Sequence, residues 1–417
     1  MKAIIYLPGI GYNYFNISSE LYAYRYTSAL DKSNQDKFKK YTIKHSKFKY
    51  GKDDRYNSNI SSIIEYSDKD NRRKIISRIY EFEYSEDLTK RFNEKNIFIR
   101  AILLFTVLIK KLPKFFQVFF LRKTTLSLLQ KAQVIYFGII FMFIALLGIL
   151  TLPSLISYLL ELVNTALAAW TNGNSPRIDV YIPETLYQLV ISATAVVLVF
   201  FPRFKTSISE IATEFVCLDY FLSVSENKLD IIGKLETLVE RISESEEYDS
   251  IELHGHNFGC ILILDLIYPY GYTPVVRVQK EIKNIVTIGC PYDFIKVYYP
   301  HYFENRANYP TLEVKHWYNI YSEIDVFSSN FRYDSKSAPA EISLTQDGIM
   351  PENLFFNIVN PKSFGLWSYI ILLGIRVHRM FWGCDPDSVN CLSTLIAYME
   401  QDRKKEILSL PTSHIIQ

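Results

Sequence analysis

The apolar positions of the chain fall into three patterns. Short β-rich runs at Ala3–Leu7, Tyr41–Tyr50, Ile79–Tyr84, Ser250–His254, Ile285–Gly289 and His316–Tyr321 each predict a strand. Leu229–Ser243 (LDIIGKLETLVERIS) carries apolar residues at helical spacing, and a second, apolar helix is predicted to follow Gly259. Strands alternating with helices predict an α/β fold, with a mostly parallel sheet covered by helices on both faces. The Lys/Tyr-rich stretch from Lys37 to Arg55 reads as a solvated strand edge, with an anionic lipid or RNA surface as the alternative.

The third pattern interrupts the second. Val134–Leu160 is an uncharged stretch of about 27 residues, and Thr185–Phe201 is one of about 17. Roughly 20 apolar residues cross a bilayer, so the two predict a transmembrane hairpin, the first span tilted or kinked at Pro153. Small residues such as Ser192, Ala193 and Ala195 also suit buried helix packing, which is the competing reading. Ile97–Ile109 is too short to cross, and the Lys- and Phe-rich run after it is typical of interfacial helices. Phe364–Phe381 is apolar around a Trp and reads either as a buried helix or as a second interfacial one.

Charge settles an orientation for this insertion. No carboxylate lies between Glu94 and Glu161, while Lys95, Arg100, Lys110, Lys111, Lys114, Arg122, Lys123 and Lys131 precede the first span. The loop between the spans holds Glu161, Arg177, Asp179 and Glu184, and Arg203 and Lys205 follow the second span. The positive-inside rule then puts both soluble parts in the cytoplasm. The expected layout is residues 1–96, a membrane-associated insertion at 97–205, and residues 206–417. Within the insertion, interfacial helices cover about 97–131 and spans cover about 134–160 and 185–201. Lipid is the expected partner, and self-association through the hairpin is possible.

Composition narrows the classes further. A net charge of +2 over 417 residues argues against a dedicated nucleic-acid binder. With 49% hydrophobic and 22% charged residues the chain is not a disordered one. Five cysteines without a CxxC pair give neither a zinc ribbon nor a disulfide framework. The apolar run from Met1 to Gly9 is too short for a signal peptide and reads as a strand entering a turn.

The candidate chemistry lies in Ser250–Asp265, SIELHGHNFGCILILD. A strand, then Gly255-His256-Asn257-Phe258-Gly259, then an apolar helix is the layout of a nucleophile elbow, G-x-S-x-G. The glycines permit a sharp strand-to-helix turn, and the new helix points N–H groups at the central residue. Here the sequence resembles the α/β-hydrolase superfamily, in particular its lipase-like members. The resemblance covers about residues 1–96 and 206–417 and implies an α/β-hydrolase-like sheet interrupted by the membrane insertion. Ile4–Gly11 (IIYLPGIG) resembles the first lipase strand with its oxyanion loop, and Ile285–Asp293 (IVTIGCPYD) the strand after the elbow helix. Trp317–Phe327 resembles the strand delivering the triad acid, and Val377–Trp382 the loop delivering the histidine.

The resemblance implies a site of Asn257 at the nucleophile position, Asp325 as acid and His378 as general base. Backbone N–H groups of Phe258 and of Ile10 or Gly11 would form the oxyanion hole. Asp293 and Glu323 are rival acids. Asn257 departs from the pattern, because a carboxamide cannot be activated as a hydroxyl can. Three explanations stand: a natural pseudoenzyme, an inactivated variant, or an elbow-like turn in an unrelated α/β fold. The implied function is a membrane-anchored lipase- or esterase-like protein for amphiphilic esters at the cytoplasmic leaflet, inactive with Asn257, or else a scaffold or sensor binding lipid or protein. No cofactor motif is present, and His254-x-His256 has no evident further ligands for a metal. Cys260 is expected to be a buried small hydrophobe.

Overall fold

The computed structural model describes residues 1–10, 19–34, 38–67, 72–120, 161–171, 188, 216–345 (except 224, 246, 307–311, 324, 326 and 335), 348–357, 380–382 and 389–409. The strands are β1 (Lys2–Leu7), β2 (Lys39–Tyr50), β3 (Tyr56–Ser67), β4 (Arg72–Glu81), β5 (Ser250–His256), β6 (Ile282–Ile288), β7 (His316–Tyr321) and β8 (Glu352–Phe355). They form one eight-stranded sheet in the order β2-β3-β4-β1-β5-β6-β7-β8. Every pairing from β4 through β1 to β8 is parallel, and β2, β3 and β4 form an antiparallel meander at one edge.

Helices α1 (Ser19–Ser33), α2 (Ser85–Asn93), α3 (Ile97–Phe120), α4 (Ser225–Ser243), α5 (Phe258–Ile267), α6 (Val276–Glu281), α7 (Tyr292–Tyr298) and α8 (Cys391–Ser409) cover both faces. Alternation along β1 shows how. Ala3, Ile5 and Leu7 enter a core with α4 and α5, while Ile4 and Tyr6 enter a second core with α1 and α8. A strand buried on both faces needs a continuous apolar run, which KAIIYL supplies. In α4, Ile231, Ile232, Leu235, Leu238, Val239 and Ile242 line the buried side at helical spacing.

The expected strands at Ala3, Tyr41, Ser250, Ile285 and His316 all form, and so do both expected helices. The Lys-rich segment is the edge strand β2, with mostly exposed side chains, and lysines along an edge discourage pairing with another sheet. The run at Ile79–Tyr84 is only the end of the longer β4. Phe82 continues past it by donating its N–H to Tyr6 O at 2.9 Å. The expected spans 134–160 and 185–201 lie outside the described residues, apart from residue 188. Among the described residues no helix is long and apolar enough to cross a membrane.

Candidate active site

Asn257 is the single residue between the end of β5 and the start of α5, with φ 50° and ψ −116°. That conformation lies outside the allowed left-handed region and costs an L-residue about 1–3 kcal/mol. Two backbone hydrogen bonds help hold it. The Asn257 N–H donates to Ile288 O of β6 at 2.9 Å, and its carbonyl accepts from Cys260 N at 3.0 Å.

The flanking glycines are sterically required. A Cβ on Gly255 would stand 2.7 Å from Cys260 N and 2.8 Å from Gly259 C. A Cβ on Gly259 would stand 2.2 Å from Leu7 O and 2.9 Å from Pro8 O. The start of α5 therefore sits directly on the chain leaving β1. Tyr84 also fixes that chain by donating its hydroxyl to Pro8 O at 2.5 Å. Ile10, three residues past β1, is buried in the same core as Phe258, the first residue of α5. As the first helical residue, Phe258 has an N–H that no carbonyl within the helix can accept. Its ring packs edge-on against Phe221 at 4.9 Å.

Parallel strands bring several loops to the same sheet edge as Asn257, the edge where α/β sheets bind ligands. Asp293 lies in the first turn of α7 after β6, and Asp325 lies in the loop after β7. Both are buried. Asp325 Oδ1 accepts the Phe327 N–H at 3.0 Å, and Asp293 accepts the Ser329 hydroxyl at 2.5 Å. Ser329 N also donates to Cys290 O at 2.9 Å, so the two loops are stitched together. Glu323 is exposed. His378 and Gly11 lie outside the described residues. Phe381 and Trp382, just beyond His378, are buried, and the Trp382 ring stands 5.0 Å from that of His256.

Two buried polar clusters position β5 and α5; His254 of the first was singled out only as half of a His-x-His pair, and the second was not singled out at all. On the α1 side of β5, His254 meets the Tyr22 hydroxyl at Nδ1 (2.5 Å) and Glu252 at Nε2 (3.2 Å). Glu252 also receives Lys2 at 3.3 Å and Asn284 at 3.1 Å. Burial opposes ionisation of Glu252, but Lys2, His254 and Asn284 outweigh it and hold its carboxyl well below the usual range. Burial lowers the His254 pKa despite Glu252, favouring the neutral ring. That ring donates from Nε2 to Glu252 and accepts the Tyr22 hydroxyl at Nδ1. His254 thus has a complete structural role.

The second cluster anchors α5. Asp265 takes Arg306 at 2.6 Å and Lys228 at 3.0 Å, and also accepts the Tyr302 hydroxyl. Burial opposes its ionisation, but Arg306 and Lys228 outweigh that and hold its pKa down. Arg306 Nη1 also bonds Tyr268 O at 2.6 Å, satisfying a carbonyl at the end of α5. Cys260 is fully buried beside Gly255 O and Ile288 O, as a small packed residue would be.

A lone carboxylate in FGCILILDLI, or in the middle of a buried strand, was the available sign of both clusters. When the chain is compared with known proteins, no family model, no curated protein and no solved structure matches it.

Proposed function

We propose that this chain is a membrane-attached relative of the lipase-like α/β hydrolases that binds an amphiphilic acyl ester without cleaving it. The observation that carries the reading is the backbone at Asn257. A strained residue is held at φ 50°, ψ −116° between two glycines that have no room for a side chain. A simple turn gains nothing from a non-glycine residue there, whereas an elbow must present a side chain above the sheet.

The strand order supports the same reading. The elbow strand β5 lies between β1, which leads to Ile10, and β6, with β7 leading to Asp325 one strand further. In this reading Phe258 and Ile10 offer N–H groups to a carbonyl oxygen, Asp325 serves as the acid, and His378 completes the set. Asn257 donates a hydrogen bond to the ligand but forms no acyl bond, since its nitrogen is delocalised into the carboxamide.

Membrane attachment rests on α3 and on the charge pattern. Ile99, Ile102, Ile109 and Phe116 of α3 are exposed along one stripe at helical spacing, while Leu104 and Lys111 turn inward. The surrounding sequence from Lys95 to Leu160 has no carboxylate and eight basic residues, which suits an anionic leaflet. The spans expected at 134–160 and 185–201 would anchor this face at the cytoplasmic leaflet. Covalent labelling of an Asn257→Ser variant by a fluorophosphonate tests the proposal.

A further inference from the structure

A separate group of side chains meets at the opposite end of the parallel strands. His316 opens β7, Glu352 opens β8, and Asp402 lies on α8. His316 Nδ1 is 2.9 Å from Glu352 Oε1 and 3.8 Å from Asp402 Oδ2. One potential ligand atom from each residue lies within 4.8 Å of the other two. All three residues are partly buried.

The surroundings fit a cation better than a plain ion pair. Two carboxylates converge on one imidazole, and among the residues whose side chains are described neither pairs with a lysine or arginine. The rings around the cluster also orient it. Tyr318 lies parallel to the His316 ring at 5.5 Å, and Tyr398, one turn before Asp402, packs edge-on against Tyr318 at 5.9 Å. A ligand ring held in place by its neighbours is the kind of support that metal ligands commonly have. A four-coordinate zinc with bonds near 2.0–2.1 Å sets its ligand atoms about 3.3 Å apart. The two distances from His316 bracket that spacing.

We infer that His316, Glu352 and Asp402 bind one divalent transition-metal ion of the zinc class, which clasps helix α8 to the β7–β8 edge of the sheet. The imidazole excludes magnesium and calcium as preferred ions, because those select oxygen ligands. Three protein ligands leave a coordination position for water. The ion joins residues far apart in sequence, so it binds the folded chain and not the unfolded one.

The test is titration of zinc chloride into the EDTA-treated, dialysed full-length protein, followed by calorimetry and thermal melting. The expected result is one ion per chain, with saturating zinc raising Tm by about 3–5 °C. Asp402→Asn and His316→Gln are expected to weaken binding at least tenfold while leaving the metal-free Tm close to that of the unaltered chain. X-ray absorption at the zinc edge of the unaltered protein gives a reading independent of the variants, expected to show nitrogen and oxygen ligands and no sulfur. Absence of saturable binding, undiminished binding in both variants, or a sulfur-ligated ion would overturn the assignment.

Discussion

Gly259 and Leu7 are in such close contact that a single methyl group on the glycine would overlap the leucine carbonyl, at 2.2 Å from its oxygen. This contact couples the helix after Asn257 to the loop after β1, the two segments that would hold a bound carbonyl group. Gly259→Ala must displace backbone on one side or the other. The expected loss is about 3 kcal/mol or more, the range of severe steric mutations. Chemical denaturation measures it, and an unchanged midpoint would mean that α5 is not seated on β1.

The strain at Asn257 gives a prediction of opposite sign. Glycine adopts positive φ freely, but loses more entropy on folding than asparagine does. The first effect is the larger at φ 50°, ψ −116°, so Asn257→Gly is expected to stabilise the protein by about 1 kcal/mol. Asn257→Ser keeps the strain and should be near neutral. A destabilised glycine variant would remove the argument that the conformation is held for the sake of a side chain.

Acid is expected to weaken the fold in two stages. The His254 pKa is depressed from its ordinary 6.5 by burial, so the unfolded chain binds that proton more readily than the folded one. Stability is then full above about pH 6.5 and falls as pH drops, by at most about 1.4 kcal/mol per pH unit for one proton. Glu252 is also depressed and adds a second loss below about pH 4.5, its ordinary value. Replacing His254 by Gln should flatten the stability profile between pH 7 and 5. Parallel profiles for the two proteins would contradict the buried neutral histidine.

Arg306 joins Asp265 to the carbonyl end of α5, and both side chains are fully buried. Arg306→Met leaves Asp265 with Lys228 alone and the Tyr268 carbonyl without its donor, and is expected to cost about 3 kcal/mol. Adding Asp265→Leu and Lys228→Met, which removes every charge of the cluster, should recover part of the loss. A triple variant no better than the single one would show that the cluster acts through packing alone.

Much of this arrangement was legible in the sequence, for identifiable reasons. β1, β5 and β7 are short apolar runs ending at turn residues, and the strand–turn–helix at Asn257 could be read because its geometry leaves no choice but glycine at 255 and 259. β3 was missed because YNSNISSIIEYS lacks a clean alternation, and pairing with β2 and β4 on its two sides holds it in the sheet. β8 has only four residues and owes its form to β7. Arg306 with Asp265, and His316 with Glu352 and Asp402, are partnerships between distant segments. No local pattern encodes them, although a carboxylate inside an apolar helix signals that a cation must come from somewhere.

The proposed lipid contact of α3 is tested with spin labels at Ile102 and Ile109 in a Cys384→Ser background, the four described cysteines being buried. In anionic nanodiscs both labels should collide more with oxygen than with a polar relaxation agent, as acyl-chain burial requires. The reverse preference would place the stripe in water.

The most direct test of the central claim compares the unaltered chain, Asn257→Ser and Asn257→Ser/His378→Ala for fluorophosphonate labelling and p-nitrophenyl ester turnover. The account predicts labelling and turnover in the single serine variant alone, with the unaltered chain silent and the double variant strongly reduced. A folded Asn257→Ser protein that neither labels nor turns over ester would contradict a hydrolase-type site at the end of β5.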